Sequence, residues 1–251
     1  MIYPTEDADA ERAARRDRHA YRKLQRRLSK NKSACRRFSE EGRADRMTFY
    51  KAVYIYMLGG LVGTLWETVL FLCKGWGFIY CNGSIFTPFN MVYGCGAVFI
   101  IGALKNREKW WQVFAIGTIG SGFIEYLMSF LEETLLGTRS WDYSSYPLNI
   151  NGRTNIPYMI FFGFLCVVVV FVVYKPLNRL LEKIPKKVMK TVAVIMFIIL
   201  VIDLIFVALA VLRYSGRNSG VEAMTWVGRF FDTYFDDAYM KLHFPKMNFS
   251  S

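Results

Sequence analysis

Three acidic side chains stand inside long apolar stretches of this chain: Glu67, Glu125 and Asp203. A charge at the centre of a membrane helix costs about 2.5–3.5 kcal/mol on insertion scales, so such a group takes a partner or lines a wet cavity. A carboxylate kept there can hold a proton or a cation, or act as a general acid or base. Arg153 is the nearby cation whose planar guanidinium fork matches a carboxylate. Asn90, Tyr93, Trp141, Asp142, Asn149 and Asn151 supply further polar and aromatic groups in the adjoining segments.

Several other chemistries have no residues to carry them. The phosphate-cradling pattern GxxxxGK[ST] does not occur, and neither do HExxH or GxSxG. The two histidines, His19 and His243, lie outside the apolar runs, which excludes a histidine metal site or a Ser-His triad within a bilayer. No cofactor and no metal are expected.

Five apolar runs must position the polar groups: 49–73, 85–104, 110–131, 156–174 and 188–212. Each approaches the ~20 residues that a helix needs to cross a bilayer core. Backbone groups in hydrocarbon must be satisfied within their own segment, so the runs are expected to be helices. The expected fold is therefore all-α, a polytopic bundle of about five transmembrane helices over 47–213. Residues 1–46, with 14 Lys and Arg against 8 Asp and Glu, form a basic N-terminal segment, and 214–251 a tail. No early apolar stretch marks a signal peptide.

Basic residues alternate along the segments between runs: fourteen, then Lys74 alone, then three, then Arg139 and Arg153, then five. The positive-inside rule then places the N-terminus in the cytoplasm and the C-terminal tail outside. The basic segment is expected to be a helix over 5–30, solvated or drawn to anionic lipid; no nucleic-acid module is recognisable. In the tail, Trp226, Phe230, Phe231, Tyr234, Phe235 and Leu242 recur at helical spacing, which predicts one amphipathic helix over 221–242 at the interface or on the bundle's end. Cys73 and Cys81 could meet on the oxidising side, although spacing alone does not pair them.

Phase and depth bring the polar groups together. Gly60, Gly63 and Glu67 share one helix face, as do Thr118, Ser121, Gly122, Glu125 and Ser129; a third face carries Thr87, Asn90 and Gly94. Small residues let such faces pack closely. Alternating helix directions put Glu67, Asn90, Tyr93 and Glu125 in the outer half of the bundle. There they can meet Trp141, Asp142, Asn149, Asn151 and Arg153 in one outward-facing pocket. Arg153 would neutralise Glu67 or Glu125, either pinning the loop or completing a functional site. Asp203 is expected to be a satisfied core or oligomer contact.

The series Gly60 to Glu67, Asn82-Gly83, Pro88, Tyr93-Gly94, Glu125-Tyr126, Trp141-Asp142-Tyr143-Ser144 and Asn149-Ile150-Asn151-Gly152-Arg153 resembles the CmpB-like family of type IV ABC-transporter permeases. The resemblance covers roughly 52–213. It departs from the family pattern at Asn90-Met91, where a second proline is common, and at the start of the fourth run. It implies a permease served by a separate ATPase subunit, for which 175–187 is a candidate contact besides the N-terminal segment. The residues alone leave two other classes open: an intramembrane enzyme acting on a lipid or peptide, and a non-catalytic membrane partner.

Overall fold

The computed structural model describes residues 46–75, 83–245 and 247–249. The chain divides into units 1–46 and 47–251, and the second is described here. The expected basic helix over 5–30 and residue Cys81 lie outside the described residues; Cys73 is a free, exposed thiol.

The second unit is an all-α bundle. Its helices are α1 (Phe49–Cys73), α2 (Met91–Leu104), α3 (Trp110–Leu136), α4 (Ile156–Val168), α5 (Tyr174–Glu182) and α6 (Lys186–Asn218), followed by the short α7 (Trp226–Tyr234) and α8 (Asp237–His243). A π-helical turn over Val169–Val173 joins α4 and α5 into one run. Pro176 stands just beyond that turn. Its ring would crowd the carbonyl four residues back, at Val172, and the wider turn relieves the clash. Four helical runs are long and apolar enough to cross a membrane: α1, α3, 156–182 and α6. Their outward faces are largely exposed apolar side chains, such as Val62, Ile119, Phe164 and Ile202, as lipid contact requires.

The second run departs from the expected single span. Only its last 14 residues are helical, about 21 Å at ~1.5 Å per residue. Pro88 offers no N–H and biases Thr87 away from helix. Residues 83–90 instead run as non-helical chain down to the level of Gly60, where Asn90 N donates to Gly60 O (3.2 Å). Thr64 Oγ1 donates to Pro88 O (2.9 Å). A side chain at Gly60 would sit 3.0 Å from Asn90 O, tighter than ordinary contact, so glycine suits this approach. Asn90 then caps α2, its side-chain oxygen accepting from Val92 N at 3.0 Å. Thr87 and Asn90 are thus loop and cap residues, not members of a helix face.

Glycines also set the other helix contacts. Gly63 leaves room for the Tyr93 ring, and Gly122 and Gly117 of α3 face Met159 and Cys166 of α4. At the opposite end Lys51, nearly buried, donates to Asn178 Oδ1 (2.7 Å) and lies 3.5 Å from Glu182, tying α1 to α5.

The tail forms two helices rather than the single one expected. The helical spacing of aromatics is continuous, but Asp236 caps a new helix by accepting from Tyr239 N (2.8 Å). Phe231, Phe235 and Met240 pack on Ala210, Val211 and Tyr214 of α6. Arg213 and Arg217 of α6 both bond Asp232, at 2.8 and 2.6 Å, and Arg217 also reaches Asp237. The chain then returns as β4 (Asn248–Phe249), antiparallel to β1 (Thr138–Arg139), which places the tail at the same end of the bundle as the 138–155 loop.

The Arg213 and Arg217 bonds hold the Asp232 carboxyl below its ordinary range, the Arg213 bond most of all. Because the native value is depressed, this contribution is complete above the unfolded-state value of ~3.9 and fades as pH falls through the lower native one. Protection factors across 219–243, corrected for the intrinsic fall of amide exchange with pH, are therefore expected to drop between pH 6 and pH 3 more than those in α1. Asp232→Asn should give the lower protection already at pH 6; equal protection in the variant would contradict the link.

Candidate functional site

The 138–155 loop closes one end of the bundle, and its folding explains which side chains reach inward. Gly137 ends α3 with a left-handed φ of 67°. Further on, β2 (Asn149–Ile150) pairs with β3 (Thr154–Asn155). Between them Asn151 and Gly152 take φ of 53° and 69°, and Arg153 N donates back to Ile150 O at 3.0 Å. Positive φ at two consecutive central residues is the demand that an Asn-Gly pair meets.

This hairpin plants two adjacent side chains on two different carboxylates of α3. Thr154 Oγ1 donates to Glu125 Oε2 (2.7 Å), and Tyr143 OH donates to Glu125 Oε1 (2.8 Å). Arg153 pairs with Glu133, whose other oxygen accepts from Arg139 Nη2 at 2.8 Å. The Arg153 guanidinium also lies over the rings of Tyr126 (5.6 Å) and Phe130 (5.4 Å). Arg153 therefore neutralises neither Glu67 nor Glu125. The expected partner was misplaced because α3 runs on to Leu136, which lifts Glu132 and Glu133 onto the helix beneath the loop.

The remaining expected residues divide between the loop and the bundle. Trp141 Nε1 donates to Arg153 O (2.8 Å), and Asn151 Nδ2 to Tyr126 OH (2.9 Å). Asn149 is a loop brace: its Nδ2 donates to Tyr146 O (2.8 Å) and its Oδ1 accepts from Gly152 N (2.9 Å). Asp142 is exposed and turned to Ser144, accepting from both its N–H and its hydroxyl. Within the bundle, Tyr93 OH donates to Glu67 Oε1 at 3.4 Å.

Local electrostatics follow from these contacts. Burial, and then the Glu125 charge, push the Tyr143 phenol far above its ordinary value, so it stays a donor. Tyr93 adds to that upward push. The Ser144 hydroxyl holds Asp142 below its ordinary range. The Glu133 bond raises Arg139. Tyr143 and Thr154 were not among the expected site residues, although Tyr143 belongs to the Trp141–Ser144 segment that stands out in the sequence.

A second polar centre lies deeper. The Asp203 carboxylate of α6 is wrapped by 84–87. Oδ1 accepts from Ile85 N and Phe86 N, each at 3.0 Å. Oδ2 accepts from Thr87 Oγ1 (2.7 Å) and from Ser84 Oγ. A cleft of ≈ 20 Å³ beside it, bordered by Tyr56, Thr87, Phe89 and Leu200, has room for about one water. Asp203 is satisfied in the core, as expected. Among the described residues no group of three metal-ligating side chains occurs.

A family model described as "Putative ABC-transporter type IV" matches residues 54–208, from α1 into α6. No curated protein and no solved structure matches the chain.

Proposed function

The chain belongs to this type IV ABC-transporter family, and from that premise we propose that it is the membrane-spanning permease subunit of an ABC-type transporter. The match over more than half of the chain is the observation that carries the reading. ATP is hydrolysed by a separate chain, since this one lacks the phosphate-binding loop pattern. On this reading the substrate-facing groups are Glu67 with Tyr93, Glu125 with Tyr143, and Asn90, Trp141, Asp142, Asn149, Asn151 and Arg153.

The loop charges orient the chain with 1–46 in the cytoplasm and the 138–155 loop and the tail outside. The ATPase chain docks at the opposite end of the bundle. Lys175, Arg179, Lys183, Lys186 and Lys187 are exposed there. Thiol labelling of intact cells with an impermeant reagent, after reduction, should modify Cys81 and spare Cys35. The reverse pattern contradicts the orientation.

Purification of the tagged chain from its native membranes in mild detergent tests the assignment. A P-loop ATPase subunit should accompany it in fixed ratio, and ATP hydrolysis should follow the complex. A chain that purifies alone, with no ATP-dependent flux in reconstituted vesicles, would sink the proposal.

A further inference from the structure

We propose that Arg153 and Arg139, bridged by Glu133, form a binding site for an oxyanion, a phosphate or carboxylate group, at the rim of the bundle. The reasoning starts from charge. One carboxylate serves two guanidinium groups, so the triad carries a net positive charge. The nearby acids are turned to other donors: Glu132 to the hydroxyls of Thr138 and Ser140, and Asp142 to Ser144.

Hydrogen-bond accounting points the same way. Nε and Nη1 of Arg153 are buried with no acceptor, and one turn before Glu133 the buried Ser129 hydroxyl also has no partner. Buried donors without acceptors are rare in folded proteins and mark a missing water or anion. The Tyr126 and Phe130 rings cover the face of the guanidinium, which leaves its in-plane N–H groups for oxygen atoms. Nε and Nη1 lie on either side of the Nη2 that holds Glu133, so each is a charged donor for one oxygen of a phosphate or carboxylate.

Position indicates where the ligand comes from. Glu133 lies in the last turn of α3, near the boundary between hydrocarbon and water, and Phe130 beside it is 45% exposed. A lipid headgroup and a soluble oxyanion both reach this level. The free nitrogens of Arg153 are covered, so ligand entry requires the 149–155 hairpin to yield.

The site does not depend on the transport reading, because binding is measured directly on the full chain. Phospholipid retained after exhaustive detergent exchange is quantified, and the lipid-free protein is titrated with inorganic phosphate. A lipid source gives about one phospholipid per chain that phosphate does not displace. A soluble source gives saturable phosphate binding. Arg153→Lys keeps a charge for Glu133 but loses the fixed Nε and Nη1 donors, and should weaken binding tenfold or more. Glu133→Gln removes the competing carboxylate and should tighten binding several-fold, a gain that loss of structure could not produce. If neither probe binds, or if both variants bind as the wild type does, the donors hold only water and the proposal is overturned.

Discussion

Asp203→Ala is expected to lower the melting temperature of the purified protein by roughly 10 °C. The carboxylate is the shared acceptor for two backbone N–H groups and two hydroxyls. Hydrogen bonds to a charged acceptor contribute ~1.5–3 kcal/mol each, and a buried donor left without one costs ~1–3 kcal/mol. A water in the adjoining cleft recovers part of the loss, leaving a net of about 3–5 kcal/mol. For a domain of this size ~1 kcal/mol shifts the midpoint by ~2–4 °C. Asp203→Asn keeps one oxygen for Ile85 and Phe86 and presents an amide to hydroxyls that can turn to accept, so about half of the effect should remain. Ile202→Ala, on the exposed outward face of the same helix and away from the cleft, is the control and should move the midpoint little. An Asp203→Ala protein that melts with the wild type would show that the 84–87 segment is held by something else.

That expectation depends on a contact that no local pattern announces. Four spanning runs are legible from composition because the bilayer fixes their length. The run over 85–104 carries the same apolar signal, yet half of its first turn donates to a carboxylate 117 or 118 residues away. Pro88 is the local hint, and it marks a break without saying where the freed donors go. A half-length helix whose start is capped deep in the bundle is tolerated only because α1 and α6 satisfy the chain that leads into it. The tail shows the same limit on a smaller scale. The aromatic spacing from Trp226 to Leu242 is real, but one capping aspartate divides it.

The loop was partly legible for a different reason. Asn151-Gly152 announces a turn, and a turn there obliges Arg153 and Thr154 to face α3. Which carboxylate each one meets depends on how far α3 extends, and residues 132–136 are too polar at 132–133 to read as membrane helix. Depth counted from apolar runs therefore assigned Arg153 to Glu67 or Glu125, two turns short of Glu133. The family resemblance read from the motifs and the match over 54–208 agree because both rest on the bundle and this loop.

The same hairpin makes Glu125 the position where structure and transport can be separated. Glu125→Ala removes the acceptor of the Tyr143 and Thr154 hydroxyls, 2.8 and 2.7 Å away, and should destabilise the protein by about 2–4 kcal/mol. Glu125→Gln keeps the shape and one acceptor oxygen, and either hydroxyl can turn to accept from the amide. Its stability should stay within ~1 kcal/mol of wild type, since no buried donor is stranded. What glutamine lacks is the negative charge and the ability to take up a proton. On the reading that this carboxylate faces the substrate, Glu125→Gln should cut ATP-dependent flux at least tenfold while its melting temperature stays within a few degrees. Tyr143→Phe should keep more of the flux, because Thr154 still holds the carboxylate. A glutamine variant that transports at the wild-type rate, beside an alanine variant that melts early, would reduce Glu125 to a fastening point for the loop.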